Sequence, residues 1–318
     1  MQERSRASQA RILGDVEGER PGPLLILTGG IHGNEPDGVA AIERVFARLA
    51  ELELPVRGRV VGLAGNLGAL AEDRRFLDED LNRVWVQDQV DSTDASDLSR
   101  EGHERRELHD LFQGLFGESW DQVTLLDLHS TSGVGPPFAI LSDRRDHLWL
   151  ANAIRVPAVL GLHDNVPGTL IDWFEGLGHR AIVVEGGQAH HELTCDRLES
   201  VAWLALGATG VIPADTVDVE RHHRRLDEAT EHLPKELEVA LRWGIEEGET
   251  FLMEEGFENL EKVQRGQLLA RTGPRGDIPV LSPFDGLLIM PKYQEQGLDG
   301  FFLAPAPHVA RRVDSRPA

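Results

Sequence analysis

Three short apolar runs constrain this chain most, because each ends on a side chain that can do chemistry. Residues 24–28 run into Gly-Gly-Ile-His-Gly-Asn-Glu-Pro (29–36), residues 123–128 run into His129, and residues 181–184 run into Glu185. Apolar runs this short, bounded by glycine or polar residues, read as buried strands rather than helices. Residues 59–64, 138–141 and 158–160 are further strand candidates, and helical patterns cover 37–52, 100–116, 144–154, 169–177 and 192–208. Pro36 suits the first turn of the helix at 37–52, where its missing N–H would be unpaired in any case. Strands alternating with helices specify an α/β fold, a doubly wound, mostly parallel mixed sheet flanked by helices. In such sheets ligands gather beyond the carboxyl ends of the strands. His32, His129 and Glu185 are therefore expected at one site.

His32, Glu35 and His129 make a two-histidine, one-carboxylate set. That is the ligand set of a catalytic zinc, one ion per chain, with a fourth position left for water. His32-x-x-Glu35 alone is weak, since a strand-end histidine bonded to a nearby glutamate would give the same pattern. His129 shifts the balance, because Asp127 lies two residues before it. Residues two apart on a strand share a face, so Asp127 can hold a ligand's second ring nitrogen. Gly33 would let the backbone approach the ion closely. Glu185 ends a buried strand, where a carboxylate is costly unless paired or used, and it is the candidate general base.

The loop 67–97 is long, polar and without strong periodicity, and within it 75–83 concentrates Arg75, Asn82 and Arg83. Guanidinium forks suit a substrate carboxylate, and an arginine near zinc can stabilise the oxyanion of a scissile carbonyl. The plainer alternative is a solvated salt-bridge loop, because Asp73, Asp78, Glu79 and Asp80 are adjacent. His190-His191 and His222-His223 lie off the expected strand ends and are read as structural. No Lys-Ser/Thr follows Gly29-Gly30, no Gly-x-Ser-x-Gly elbow is present, and Cys195 has no strong case as a nucleophile.

The net charge of −22, with 54 acidic against 32 basic residues, argues against nucleic acid, whose phosphates would be repelled. Such acidity suits a high-salt surface and an ordinary acidic protein equally. No apolar run approaches the roughly 20 residues of a membrane helix, and residues 1–10 hold no apolar signal core. With one cysteine no intrachain disulfide forms, and a cytoplasmic location is expected. After about residue 218 the pattern changes. The expected layout is a zinc hydrolase catalytic domain (1–218), a charged helical connector (219–243) and a mainly-β C-terminal domain (244–318). The last shows short apolar runs at 249–253, 267–270, 279–281, 286–290 and 301–303.

Taken in order, His32-Gly-Asn-Glu35, Arg75 through Asn82-Arg83, Asp127-Leu-His129 and Glu185-Gly-Gly resemble the succinylglutamate desuccinylase/aspartoacylase family of the zinc carboxypeptidase superfamily. The resemblance covers most of the chain. It implies zinc on His32, Glu35 and His129, Glu185 as the base, and substrate or transition-state contacts from Arg75, Asn82 and Arg83. It also implies a C-terminal β domain, matching 244–310, that narrows the mouth of the site and contributes an aromatic hydroxyl. Tyr293, the only tyrosine, is the candidate. The chain departs from aspartoacylase in one place. An arginine about ten residues before that family's catalytic glutamate has Glu175 in the corresponding stretch here, with Arg180 the nearest arginine. The activity implied is deacylation of a small N-acyl amino acid by metal-activated water, with no nucleic-acid or membrane partner and self-association left open. The alternatives are a zinc carboxypeptidase acting on peptides, which a narrowed mouth would exclude, and a non-catalytic binding protein on the same fold.

Overall fold

The computed structural model describes residues 10–86, 90, 98–142, 147–162, 166–216 and 218–306. Eight strands form the main sheet: β1 (Ile12–Glu17), β2 (Arg20–Gly29), β3 (Arg57–Ala64), β4 (Val123–Thr131), β5 (Phe138–Ile140), β6 (Ala158–Leu160), β7 (Arg180–Gln188) and β8 (Glu236–Glu238). Their order is β1-β3-β2-β4-β7-β5-β6-β8. The centre, β3-β2-β4-β7, is parallel. β1 runs antiparallel to β3 and β5 antiparallel to β7. The expected fold class is the observed one.

Helices cover both faces: α1 (Asp37–Leu52), α2 (Leu67–Glu72), α3 (Arg100–Phe116), α4 (Leu148–Ile154), α5 (Leu170–Gly176), α6 (Glu192–Thr209) and α7 (Val219–Thr230). Strand alternation assigns the two cores. Leu25, Leu27, Leu126, Leu128, Ile182 and Val184 pack with α1, α4, α6 and α7. Leu24, Ile26, Val123, Leu125, Ala181 and Val183 pack with α3 and α5. Asp127, His129 and Glu185 continue the second set by parity and so face the α3/α5 side.

Beyond the main sheet the chain forms two antiparallel sheets. One is β10 (Phe251–Met253), β12 (Leu268–Thr272) and β13 (Ile278–Leu281). The other is β11 (Glu261–Val263), β14 (Gly286–Ile289), β15 (Asp299–Pro305) and β9 (Leu241–Gly244), in the order β11-β14-β15-β9. β15 has two buried faces. Phe301 and Leu303 enter a core within these sheets, while Phe302 and Ala304 pack into the α3/α5 core of the main sheet. This β region therefore docks on the face that carries His129 and Glu185.

Several elements differ from the pattern read in the sequence. β4 and β7 continue past their apolar runs, so His129 and Glu185 lie within the strands and pair with each other. A polar side chain does not end a strand whose backbone partners persist on both sides. The 67–97 stretch is not a bare loop where it is described. Asn66 Oδ1 accepts the Ala69 N–H at 3.0 Å and starts α2, and Asp80 Oδ1 accepts the Asn82 N–H at 2.8 Å and starts a 3₁₀ turn, Leu81–Arg83. Most of residues 87–97 lies outside the described residues, as do 143–146 at the start of the expected helix 144–154. The stretch 219–243 is helical only to Thr230. Its remainder adds β8 to the edge of the main sheet and β9 to the C-terminal sheet. Strands of three and four residues are too short for periodicity to show. Among the described residues no helix is long and apolar enough to cross a membrane.

Candidate metal centre and active site

His32 follows β2, Glu35 precedes α1, and His129 stands near the end of β4. Their three ligand atoms lie within 4.8 Å of one another and all three side chains are buried. Both imidazoles turn Nδ1 toward Glu35: His32 Nδ1 is 2.9 Å from Oε1 and His129 Nδ1 is 2.9 Å from Oε2. Each ring is gripped at its far nitrogen by a carboxylate. Asp127 Oδ2 is 2.8 Å from His129 Nε2, and Asp80 Oδ1 is 3.1 Å from His32 Nε2. Thr28 Oγ1 donates to the other Asp127 oxygen at 2.6 Å. Gly33 provides a close approach to α2. A Cβ there would lie 2.0 Å from the Ala69 carbonyl carbon.

The electrostatics follow from burial and facing charge. Burial alone would raise the pKa of Glu35, but His32 and His129 outweigh it and hold the carboxyl far below its usual range. Burial would lower that of His129, but Asp127 and Glu35 raise it well above the ordinary imidazole value. Burial, reinforced by Glu35, pushes Glu185 up to about 8 against the opposing pull of His129.

The segment carrying Arg75, Asp80, Asn82 and Arg83 is fixed from beneath by Glu101, at the start of α3. Its carboxylate is fully buried. Oε1 accepts the Leu77 N–H at 2.6 Å and the Asn66 amide at 3.0 Å, while Oε2 accepts the Asp78 and Glu79 N–H groups at 2.9 and 3.2 Å. With its backbone so held, the segment delivers its side chains to the cleft. Arg75 spans Glu35 and Asp80 at 3.3 and 3.2 Å. Asn82 Oδ1 accepts the Leu170 N–H at 2.9 Å, and Arg83 Nη2 donates to Asp299 Oδ2 at 2.8 Å.

His32, Glu35, Arg75, Asn82, Arg83 and His129 line one cleft of about 850 Å³, its open mouth included, together with Glu185, Ser130, Lys292 and Asp299. Three buried polar atoms on its wall have no hydrogen-bond partner: Arg75 Nε, Ser130 Oγ and Glu185 Oε2. Buried polar groups are nearly always paired, so three such atoms around one cleft mark it as the place where a ligand is handled.

The segment 290–297 forms the opposite wall and is bonded directly to the first. Asn34 donates to Gln294 at 2.9 Å, the Tyr293 N–H to Ser132 Oγ at 2.9 Å, and Gln296 to the Phe76 carbonyl at 3.0 Å. Tyr293 itself is not on the cleft. Its hydroxyl donates to the Glu254 carbonyl at 2.8 Å and accepts the Phe257 N–H at 2.9 Å. Lys292 and Gln294, its neighbours on either side, line the cleft instead. Tyr293 thus lies beside the cleft lining and is bonded to the 254–257 turn. Arg180 also lies elsewhere, at the opposite end of β7 from the site, with its guanidinium 5.3 Å from the Trp149 ring centroid. Glu175 pairs with Ser142 and His147 at 2.8 and 3.0 Å.

Asp80, Ser130, Glu101, Lys292 and Asp299 were not singled out from the sequence. Asp80 stood among four acids in one loop, with nothing to separate a histidine's partner from a solvated charge. Lys292 and Asp299 come from more than 100 residues beyond Glu185, where no local pattern connects them to it. The paired histidines keep to structural roles. His222 Nδ1 lies 3.1 Å from Ser200 Oγ, His223 Nε2 lies 2.8 Å from the Ala153 carbonyl, and His191 caps α6.

Known proteins share this pattern and this fold. A family model described as the succinylglutamate desuccinylase/aspartoacylase catalytic domain matches residues 21–207, more than half of the chain. The succinylglutamate desuccinylase of Photorhabdus laumondii is 39% identical over 61 residues, so the chain spans 19% of that protein's length. A probable aspartoacylase of Prochlorococcus marinus is 36% identical over 146 residues, 45% of this chain and 46% of its own. Among solved structures, the product-bound ectoine utilization protein EutE (DoeB) of Ruegeria pomeroyi superposes with a TM-score of 0.65 at 20% identity, over 92% of this chain and 88% of that one. The succinylglutamate desuccinylase of Vibrio parahaemolyticus gives 0.61 at 16% identity, over 92% and 85%. At these identities the structures speak to the fold, and the sequence match speaks to descent. The chain belongs to the succinylglutamate desuccinylase/aspartoacylase family.

Proposed function

We propose that the chain is a zinc-dependent deacylase that hydrolyses the acyl amide of a small N-acyl amino acid. The observation that carries this reading is a three-ligand cluster, both of whose imidazoles are backed by carboxylates, on the floor of a cleft that also holds the unpartnered Glu185 Oε2. The donor set fits zinc: two neutral nitrogens and one carboxylate, oriented by outer hydrogen bonds, are what a catalytic zinc site uses. Zinc held there supplies Lewis-acid polarisation of the acyl carbonyl and acidifies water.

The protein's own groups carry the rest. Glu185 takes the proton from the attacking water and returns it to the departing amine, so that the amide becomes a carboxylic acid and a free amino acid. Its elevated pKa makes the protonated form competent as the acid in the second step. Arg75, held by Glu35 and Asp80, keeps its Nε–H for the oxyanion that develops on the carbonyl oxygen. Arg83, Lys292 and the amide of Asn82 receive the substrate carboxylate. Residues 244–306, as a separate C-terminal domain, narrow the mouth and favour small substrates over peptides.

Amine release from N-acyl amino acids by the zinc-loaded full chain tests the reading, with metal content measured beside it. Glu185→Gln is expected to lower kcat by about 10²–10⁴-fold with zinc still bound stoichiometrically. Near-native turnover by that variant would remove Glu185 from the role of base.

A further inference from the structure

We propose that the substrate bears one carboxylate and an apolar flank beside the scissile amide, rather than two carboxylates; this rests on the deacylase reading above. Two independent features of the cleft lead there. The first is its apolar wall. Ile140, Leu162, Val166, Val183 and Phe302 all line the cleft and belong to one buried hydrophobic cluster, none more than 7% exposed. Ile140 pairs with Val183 across β5 and β7. Val183 precedes Glu185 by two residues on the same face of β7, so the wall begins roughly 7 Å along the strand from the base. It is adjacent to the chemistry.

The second feature is the assignment of the cations. Arg75 is bound between Glu35 and Asp80. Arg83 is paired with Asp299, whose other oxygen accepts from Arg242 Nε at 2.6 Å. Lys292 Nζ is held by the Glu295 backbone carbonyl at 2.9 Å. Arg83 and Lys292 line the cleft with Asp299, which already lies between the two arginines Arg83 and Arg242. That arrangement accommodates one substrate carboxylate. A second carboxylate would have to face the Ile140–Val183 wall, where among the described residues every side chain named above is aliphatic or aromatic. Desolvating a charge without a partner is strongly unfavourable, while an aliphatic group there loses only its contact with water.

The shared chemistry is an aliphatic group flanking the amide, carried by the amino acid or by the acyl chain, and the test separates the two. kcat/KM is measured with the zinc-loaded chain on N-acetyl-leucine, N-hexanoylglycine, N-acetylaspartate and N-succinylglutamate. At least one of the first two is expected to exceed both acidic substrates by about tenfold or more, and which one it is identifies the flank. Equal or greater efficiency on either acidic substrate overturns the inference and leaves the deacylase reading standing. Turnover of none of the four counts against the deacylase reading. In that event calorimetric binding of the same four compounds to zinc-loaded Glu185→Gln still decides the inference, since tighter binding of the acidic pair overturns it. Val166→Arg supplies the missing cation and is expected to shift the acidic-to-apolar preference at least tenfold toward the acidic substrates. Where that variant fails to fold, Val166→Ala is expected to raise kcat/KM for the longer of two apolar homologues relative to the shorter by about threefold. No change in that ratio overturns the assignment of the wall.

Discussion

The two imidazoles of the candidate metal centre are held at their far nitrogens by carboxylates of different origin. Asp127 reaches His129 along its own strand, whereas Asp80 reaches His32 from a loop 48 residues away. Such outer partners fix the tautomer and the aim of a ligating histidine. Asp127→Asn keeps the shape and loses the charge, and it is expected to weaken zinc binding by about 10–100-fold. Competition with a chromophoric chelator measures this, and an unchanged affinity would show that Asp127 serves the strand rather than the ligand. The difference in origin also explains what could be read in advance. Asp127 was legible because an i, i+2 relation on a strand is geometry that sequence alone specifies. Asp80 was not, because a loop has no period from which to infer where a side chain points.

At the scale of elements, the segment 75–83 depends on α3. Glu101 gathers three consecutive backbone N–H groups and the Asn66 amide on one buried carboxylate. Burial raises its pKa, but these donors more than reverse that and leave it lowered. Because the folded value lies below the unfolded one, its contribution to stability is full above the unfolded pKa of about 4.3 and is lost as pH falls through the folded value. Glu101→Gln would turn an NH₂ group toward N–H donors and is expected to cost about 3 kcal/mol near pH 7. In urea titrations that gap should narrow toward pH 3, and a gap independent of pH would mean that the charge is immaterial. The same variant is expected to lower kcat/KM about tenfold through displaced arginines, even where it remains folded. Long periodic elements such as α1 and α3 were legible to the residue. The short strands β8 and β11, three residues each, were not, since tertiary pairing rather than local pattern creates them.

Across the whole molecule, a net charge of −22 surrounds a cleft proposed to receive an anion. Long-range repulsion is then expected to slow the approach of a carboxylated substrate, while Arg75, Arg83 and Lys292 on the cleft wall act in the opposite sense. Raising salt from about 20 to 200 mM shortens the Debye length from roughly 20 to 7 Å. It should therefore raise kcat/KM, most visibly where association limits the rate. A steady fall with salt would show instead that the local cations dominate at every distance. The fold of residues 21–207 could be read from alternating patterns and glycine-bounded runs. The facing of side chains in the wall at 290–297 could not be read, because that stretch forms no strand and bends at 294–296, leaving no period to infer it from.

The way this wall is fastened has a consequence for changes of chain length. Between Ser282 and Asp299 the chain is fastened at Met290 to Asn259, at Tyr293 to Ser132 and at Gln296 to Phe76. Gaining or losing a single residue there is expected to shift Lys292 and Gln294 relative to these fastenings and so to change what lines the cleft. Substitutions at fixed length are therefore expected to be better tolerated in this segment than insertions or deletions.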